Sequence, residues 1–260
     1  MSSLKLCVAG ATGRVGSGLV KTILQSKDLE LTGAVSRSHA GKNLEGTNVR
    51  ISGTVADALK TPADVLIDYT KADTVKNHAL TAIKNRSSVV IGTSGLTDDD
   101  YKEIHDAALE NHVGVLAAGN FAITAVLMMR FAEMAAKYVP YWEILDYSYE
   151  GKPDAPSGTS RELAYRLSKI QPPKSGYPIE KTIGAIESRG VTINDTQIHS
   201  IRLPGFVSSC EVIFGTAGEK LSIRHDSIDP LAPYIAGTLL AARKVKTFTG
   251  LRRGLDSVME

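Results

Sequence analysis

The segment Lys152-Pro-Asp-Ala-Pro-Ser-Gly-Thr159 gathers groups suited to holding an anion. Lys152 supplies a point charge, Ser157 and Thr159 supply hydroxyls, and the chain through Gly158 offers backbone N–H groups. Just upstream, Tyr147, Tyr149 and Glu150 stand close to the lysine. A tyrosine whose pKa is lowered by a neighbouring ammonium can protonate a nascent alkoxide or amine; an ordinary tyrosine there packs or hydrogen-bonds the ligand. Tyr149 and Lys152 are the candidate catalytic pair, and Glu150 is a further, solvated candidate for proton donation. Lys152, Ser157, Gly158 and Thr159 are the candidate substrate-binding set, and the ligand they suit is a small anion.

A second constellation opens the chain. Gly10-Ala-Thr12-Gly13-Arg14-Val15-Gly16 stands between an apolar run, Leu4–Ala9, and a stretch with Val15, Leu19, Val20, Ile23 and Leu24 at helical spacing. A glycine triplet also serves a plain turn. Between a strand and a helix it lets the backbone approach a pyrophosphate at the helix N-terminus, which predicts a dinucleotide site. Cofactor choice is read about 20 residues further on, where an NAD site carries an acid and an NADP site cations. Here the residues are Ser36-Arg37-Ser38-His39, with Lys42 nearby and no acid before Glu45. A solvated basic loop would read the same way, but Arg37 suits a 2′-phosphate. The predicted cofactor is NADPH, with NADH possible.

The elements that must position these groups alternate in the first half. Strands are expected at Leu4–Ala9, Leu29–Ser36, Val65–Tyr69, Ser88–Ile91 and Val113–Ala117, and further helices at Lys71–Asn85 and Asp98–Asn111, the last opened by acids that suit a helix N-terminus. This is the pattern of a doubly wound parallel sheet. Beyond Phe121 the pattern changes. An apolar helix over Thr124–Val139 precedes a strand at Trp142–Tyr147, a helix at Ser160–Ser168, and a Pro/Gly-rich loop over Gln171–Ile179. Strands follow at Gly184–Arg189, Thr196–Arg202, Ser208–Phe214 and Lys220–His225, then a helix at Leu231–Ala242.

Composition excludes more than it reveals. The 260 residues carry a net charge of +2, which gives no electrostatic case for nucleic acid or an anionic membrane. Apolar runs fall far short of the roughly 18 residues of a membrane span, and the N-terminus lacks a signal-peptide layout, so a cytoplasmic protein is expected. Cys7 and Cys210 are isolated, and the six histidines form no HExxH pair, so no metal site is expected.

Together the segments resemble one family. Glu143–Gly151 with Lys152–Thr159 is similar to the signature of the dihydrodipicolinate reductases of lysine (diaminopimelate) biosynthesis. Asp68-Tyr69-Thr70 and Gly92-Thr93-Ser94-Gly95 resemble the family's DFT and GTTG motifs, which line the nicotinamide. Ala118-Gly-Asn120-Phe121 resembles its AxNFS hinge, and His199–Phe206 and Gly218–Ser227 resemble its second domain. The resemblance covers nearly the whole chain. It implies an α/β fold with a doubly wound parallel (Rossmann) sheet for dinucleotide binding, residues 1–122 and 231–260. A second α+β domain with a mostly antiparallel sheet, residues 123–230, would bind substrate and build a homotetramer. It also implies that Lys152, Ser157, Gly158 and Thr159 hold a substrate carboxylate.

Three positions depart from the family's pattern. Its pair of histidines falls at Ser148 and Tyr149, and the first of them is the proposed general acid. A substrate-contacting arginine falls at Pro230. The leading reading is an NADPH-dependent reductase of this family acting on a small carboxylated imine, enamine or carbonyl compound. The alternatives are the lysine-pathway reaction itself and a non-catalytic NADP-binding regulator.

Overall fold

Short apolar runs become buried strands when helices cover both faces of their sheet. The computed structural model describes residues 3–259. In chain order it contains β1 (Leu4–Ala9), α1 (Arg14–Gln25), β2 (Leu29–Val35), β3 (Ile51–Ser52), α2 (Val55–Ala58), β4 (Val65–Asp68), α3 (Ala72–Lys84), β5 (Ser88–Ile91), α4 (Asp98–Glu110) and β6 (Gly114–Ala117). The remaining elements are α5 (Ile123–Ala136), β7 (Trp142–Ser148), α6 (Gly158–Ser168), β8 (Val191–Ile193), β9 (Thr196–Arg202), β10 (Ser208–Thr216), β11 (Glu219–Ser227), α7 (Ala232–Lys244) and β12 (Gly250–Arg253). The chain divides into two compact units: one runs to Ile123 and resumes at Leu231, and the other spans Thr124–Pro230.

The first unit holds a parallel sheet in the order β12-β6-β5-β4-β1-β2-β3. On one face Cys7, Leu66, Val89 and Val115 pack with α3 and α4 side chains such as Val75, Ile83 and Ile104. The helices α1 and α7 lie together on the other side of the strands. The N-terminus of α4 is closed by a reciprocal cap: Thr97 Oγ1 accepts from Asp100 N–H at 3.2 Å, and Asp100 Oδ2 accepts from Thr97 N–H at 2.9 Å.

The second unit holds a sheet in the order β11-β10-β7-β9-β8, antiparallel except for the β7–β9 pair. Its inner face packs on α5 and α6 through Met128, Met129, Leu163, Leu167, Val212 and Phe214. Trp142 lies 5.7 Å from Phe214, ring centre to ring centre, and donates its indole N–H to Thr196 at 3.1 Å. This is the doubly wound sheet with a mostly antiparallel companion that the sequence predicts. No helix among the described residues is long and apolar enough to cross a membrane.

Three local expectations change. The strand expected at Gly184–Arg189 is instead a short 3-10 turn, Ile186–Arg189, because these residues are largely exposed and have no face to bury. The strand forms just beyond, at β8, whose hairpin to β9 turns through Asn194 and Asp195 with φ of 48° and 62°. Two consecutive positive φ values suit the primed turns that match strand twist. The segments β3, α2 and β12 lie outside the expected elements; β3 has two residues, and β12 exposes Arg252 and Arg253.

Both cysteines are free and buried, and burial pushes each thiol up to about 12, which makes them unreactive. His225 on β11 is buried, with Nδ1 2.9 Å from Thr124 Oγ1, and burial lowers its pKa. A depressed histidine favours the unfolded state once protons are available. Its stabilising contribution is complete above the ordinary value near 6.5 and is lost as pH falls through the native value. The stability difference between wild type and His225→Gln is therefore expected to shrink between about pH 7.5 and 5.5; denaturant titrations at the two pH values, giving equal differences, would refute this.

Candidate functional site

The glycine loop is shaped by contacts that leave no room for side chains. Gly10 has φ of +83°, and its carbonyl oxygen lies 2.0 Å from where a Cβ on Gly16 would stand. Residue 16 must be glycine for α1 to start this close to the strand end. Gly13 N–H donates to Gly10 O at 2.9 Å, and no side chain caps α1. The cradle and the uncapped first turn fit a dinucleotide pyrophosphate. Thr12 Oγ1 lies 2.8 Å from Ser36 Oγ, tying the loop to the end of β2, and Arg37 stands exposed beside it.

The ends of β4 and β5 meet this loop. A cleft of about 510 Å³ is lined by Arg14, Val15, Tyr69, Thr70, Gly92, Thr93 and Ser94, along with Lys71 and Ala72. Asp68 has no exposed surface. Its Oδ1 accepts from Thr70 N–H at 2.9 Å, Thr70 Oγ1 at 2.7 Å and Thr93 Oγ1 at 2.8 Å, and its Oδ2 lies 2.8 Å from His78 Nδ1. Asp68 thus organises the cleft from below. The Tyr69 ring covers Gly92, where a Cβ would stand 2.2 Å from Cζ, and its hydroxyl is 2.6 Å from Thr238 Oγ1. Burial raises the Tyr69 pKa, so its hydroxyl is a structural partner. Phe121 is buried, its ring 6.1 Å from that of Tyr69, so it supports the cleft through Tyr69. Asn120 Oδ1 accepts from Ala122 N–H at 2.8 Å and shapes the turn into α5.

The anion loop belongs to the second unit. Lys152 N–H donates to Tyr149 O at 3.2 Å, and the Lys152 ammonium pairs with Asp154, which holds the Asp154 carboxyl below its usual range. Ser157 is the N-cap of α6: its Oγ accepts from Ser160 N–H at 3.4 Å and is buried. Its own N–H donates to Asp146 Oδ2 at 2.9 Å. What the loop presents is therefore Lys152 and the first turn of α6 at Gly158 and Thr159, more than the Ser157 hydroxyl.

Strand parity sorts the candidate donors. Ser148 faces inward, 1% exposed, and donates its hydroxyl to Val207 O at 2.8 Å. Tyr147 faces the opposite side, stacked on Phe206 at 5.2 Å, with the Arg224 guanidinium 4.7 Å from its ring centre. Its hydroxyl donates to Glu211 at 3.2 Å. Burial, with the Glu211 charge, raises the Tyr147 pKa, which corrects the expectation that an ammonium lowers it. Tyr149 lies past the strand end, 47% exposed, with Gly151 against its ring, and Glu150 is also exposed.

The sequence reading missed His78, Asp146 and Arg202. Asp146 and Arg202 sit on the inner face of the second sheet, and Arg202 Nη2 reaches Asp146 Oδ2 at 2.8 Å. A charged residue at the inward parity of an otherwise apolar strand is a signal, because such a group must be paired.

Residues 4–121 match the family profile described as dihydrodipicolinate reductase, N-terminus, and residues 124–259 that for the C-terminus. The chain belongs to the dihydrodipicolinate reductase family. The 4-hydroxy-tetrahydrodipicolinate reductase of Desulfitobacterium hafniense is 38% identical over the full length of both chains. That of Lactiplantibacillus plantarum is 37% identical over 98% of this chain and all of its own. The dipicolinate-bound dihydrodipicolinate reductase of Paenisporosarcina sp. TG-14 superposes with a TM-score of 0.92 at 29% identity, covering 99% of this chain and all of that one. The protein is thus a nicotinamide-dependent oxidoreductase of this family, and the glycine cradle fits its cofactor.

Among the described residues no cluster of three or more His, Cys, Asp or Glu side chains could hold a metal ion. Gly92→Ala is expected to displace the Tyr69 ring at an overpacking cost of about 1–3 kcal/mol. Dinucleotide affinity should fall roughly tenfold or more; calorimetry showing wild-type affinity would remove Tyr69 from the cleft's architecture.

Proposed function

We propose that this protein is an NADPH-preferring reductase of a small cyclic imine or enamine carrying carboxylates, of the 4-hydroxy-tetrahydrodipicolinate type. The observation that carries the reading is the loop that runs from Lys152 to the N-terminus of α6, in a chain whose near-complete structural match has dipicolinate, a planar dicarboxylate, bound. Lys152 and the N–H groups at Gly158 and Thr159 hold a carboxylate. NADPH, when bound, supplies the hydride. The chain holds the dinucleotide at Gly10, Thr12, Gly13, Arg14, Val15 and Gly16, and its nicotinamide end in the cleft built by Asp68–Thr70, Gly92–Ser94, Asn120 and Phe121, with Asp68 and Phe121 supporting it from beneath.

One proton must accompany each hydride. Ser148 is buried and committed to Val207, which leaves Tyr149 or Glu150, both exposed, or solvent as donor. The homotetramer that the resemblance implies, and the cytoplasm as its compartment, belong to this reading.

Arg37, exposed beside the Thr12–Ser36 pair, motivates the cofactor preference. NADPH is expected to bind more tightly than NADH, and Arg37→Ala should weaken NADPH selectively; equal or reversed affinities in calorimetry would sink the preference. Lys152→Ala removes a charge-assisted contact worth about 1.5–3 kcal/mol. It should raise KM roughly ten- to hundredfold or abolish turnover, with cofactor affinity nearly unchanged. Unaltered substrate kinetics would place Lys152 outside the site. General acid catalysis contributes about 10²–10⁴-fold, so turnover of freshly generated 4-hydroxy-tetrahydrodipicolinate should be slow. A rate of about 10 s⁻¹ or above, ordinary for an enzyme, would show that another group fully replaces the missing acid.

A further inference from the structure

Arg202 spends its hydrogen bonds in an unusual direction. A guanidinium facing a carboxylate gains most from two parallel N–H···O contacts. Here Nη2 alone serves Asp146 Oδ2, at 2.8 Å, and the same nitrogen donates to Asp154 O at 2.7 Å. Nη1 donates to Asp146 O at 3.2 Å and to Ile201 O at 2.9 Å. Asp146 Oδ1 and Arg202 Nε are buried and have no hydrogen-bond partner among the described residues. The pair forgoes its bidentate geometry, and the guanidinium reaches the loop backbone.

The consequence runs along the loop. Asp146 Oδ2 also accepts from Ser157 N–H, at 2.9 Å, and from Ser200 Oγ, at 3.1 Å. The loop is thus pinned at two backbone points, the carbonyl of Asp154 by Arg202 and the N–H of Ser157 by Asp146. Between them the cations and anions alternate. Asp146 faces Arg202, Arg202 holds the backbone of Asp154, and the Asp154 carboxylate holds the ammonium of Lys152. Burial would push the Asp146 carboxyl up, but the hydrogen bonds from Ser157 and Arg202 outweigh it, and its pKa is lowered. A buried anion without Arg202 would be costly, which fixes the pair in place.

We propose that Arg202 and Asp146 are positioning residues for substrate binding: the buried carboxylate and its partly buried guanidinium set the spacing between the Lys152 ammonium and the first turn of α6. Neither touches the carboxylate that these groups hold. The inference rests on the reading of the loop as the substrate's carboxylate site, and it assigns that site's geometry to residues beneath it. A held carboxylate needs its donors placed to within a fraction of an ångström, so loosening either pin weakens binding without removing any group that makes contact.

Arg202→Lys separates the two roles of the guanidinium. Lysine can neutralise Asp146, but it cannot also fork to Asp154 O. The Kd for dipicolinate, measured by calorimetry with NADPH present, is expected to rise at least tenfold. The Kd for NADPH should stay within twofold, and KM should change more than kcat. Hydrogen exchange by mass spectrometry should show amides 153–158 opening at least tenfold faster, with β7 and β10 unchanged. A folded Arg202→Lys protein with dipicolinate affinity within twofold of wild type would overturn the proposal, whatever its melting temperature. Unchanged exchange in the loop would overturn it too. If that variant does not fold, Ser200→Ala removes one hydrogen bond to Asp146 and should act in the same direction by about threefold; unchanged affinity and exchange there overturn the proposal. Failure of the wild-type protein to bind dipicolinate would instead count against the proposed substrate, and the exchange measurement would then decide the role of the pair.

Discussion

A fully buried carboxylate is tolerable only when donors converge on it, and Asp68 shows what that requirement builds. It stands at the carboxyl end of β4, where a parallel sheet opens its ligand crevice. Thr70 and Thr93, from the ends of two neighbouring strands, both turn inward to reach it, and His78 closes it from α3. The strand-end loops therefore arrive at the cleft already shaped. Asp146 solves the same problem in the second unit, drawing the N–H of Ser157 and the guanidinium of Arg202. In each unit the candidate ligand loop has its backbone fixed from beneath by a desolvated acid.

The regular parts of this architecture were legible because their signals are local. Leu4–Ala9 and Thr196–Arg202 have the expected bounds, and in the first an apolar run declares a buried strand. The cleft was legible for a different reason. Gly16 is required by the Gly10 carbonyl and Gly10 by its positive φ and the Tyr69 carbonyl, and a glycine forced by such contact leaves its mark in sequence. Long-range partnerships left less trace. His78 is ten residues from Asp68 and Arg202 is 56 from Asp146; only the fold brings them together. The strand β12 was invisible because its Arg252 and Arg253 are exposed and its pairing with β6 is made by backbone alone.

Proximity in sequence also misled. Tyr147, Ser148 and Tyr149 are consecutive, yet a strand's period of two sends the first two to opposite faces. Tyr147 meets Arg224 and Glu211 in a cluster remote in chemistry from the loop, and Ser148 is consumed by a backbone carbonyl. Only Tyr149, beyond the end of β7, leaves the pattern and stays exposed next to Lys152. Where the strand stops decides which of the three hydroxyls can take part in chemistry.

The two halves of the reaction therefore rest on different kinds of structure. Hydride delivery depends on backbone placement, through glycines and buried hydrogen bonds that tolerate little change, and those features are present around the cleft. Proton delivery depends on a donor of suitable acidity, and where the resemblance implies a histidine the chain carries a serine turned into the protein interior. Carboxylate binding lies between them. In the proposed reading Lys152 supplies the charge, but a charge held only by its own flexible stem binds weakly. Asp154, tied to Arg202 through its carbonyl, gives that stem a fixed end. In the proposed reading a serine at the donor position alters the rate of one step while the binding surfaces keep their geometry, because the Ser148 hydroxyl reaches the Val207 carbonyl and neither loop.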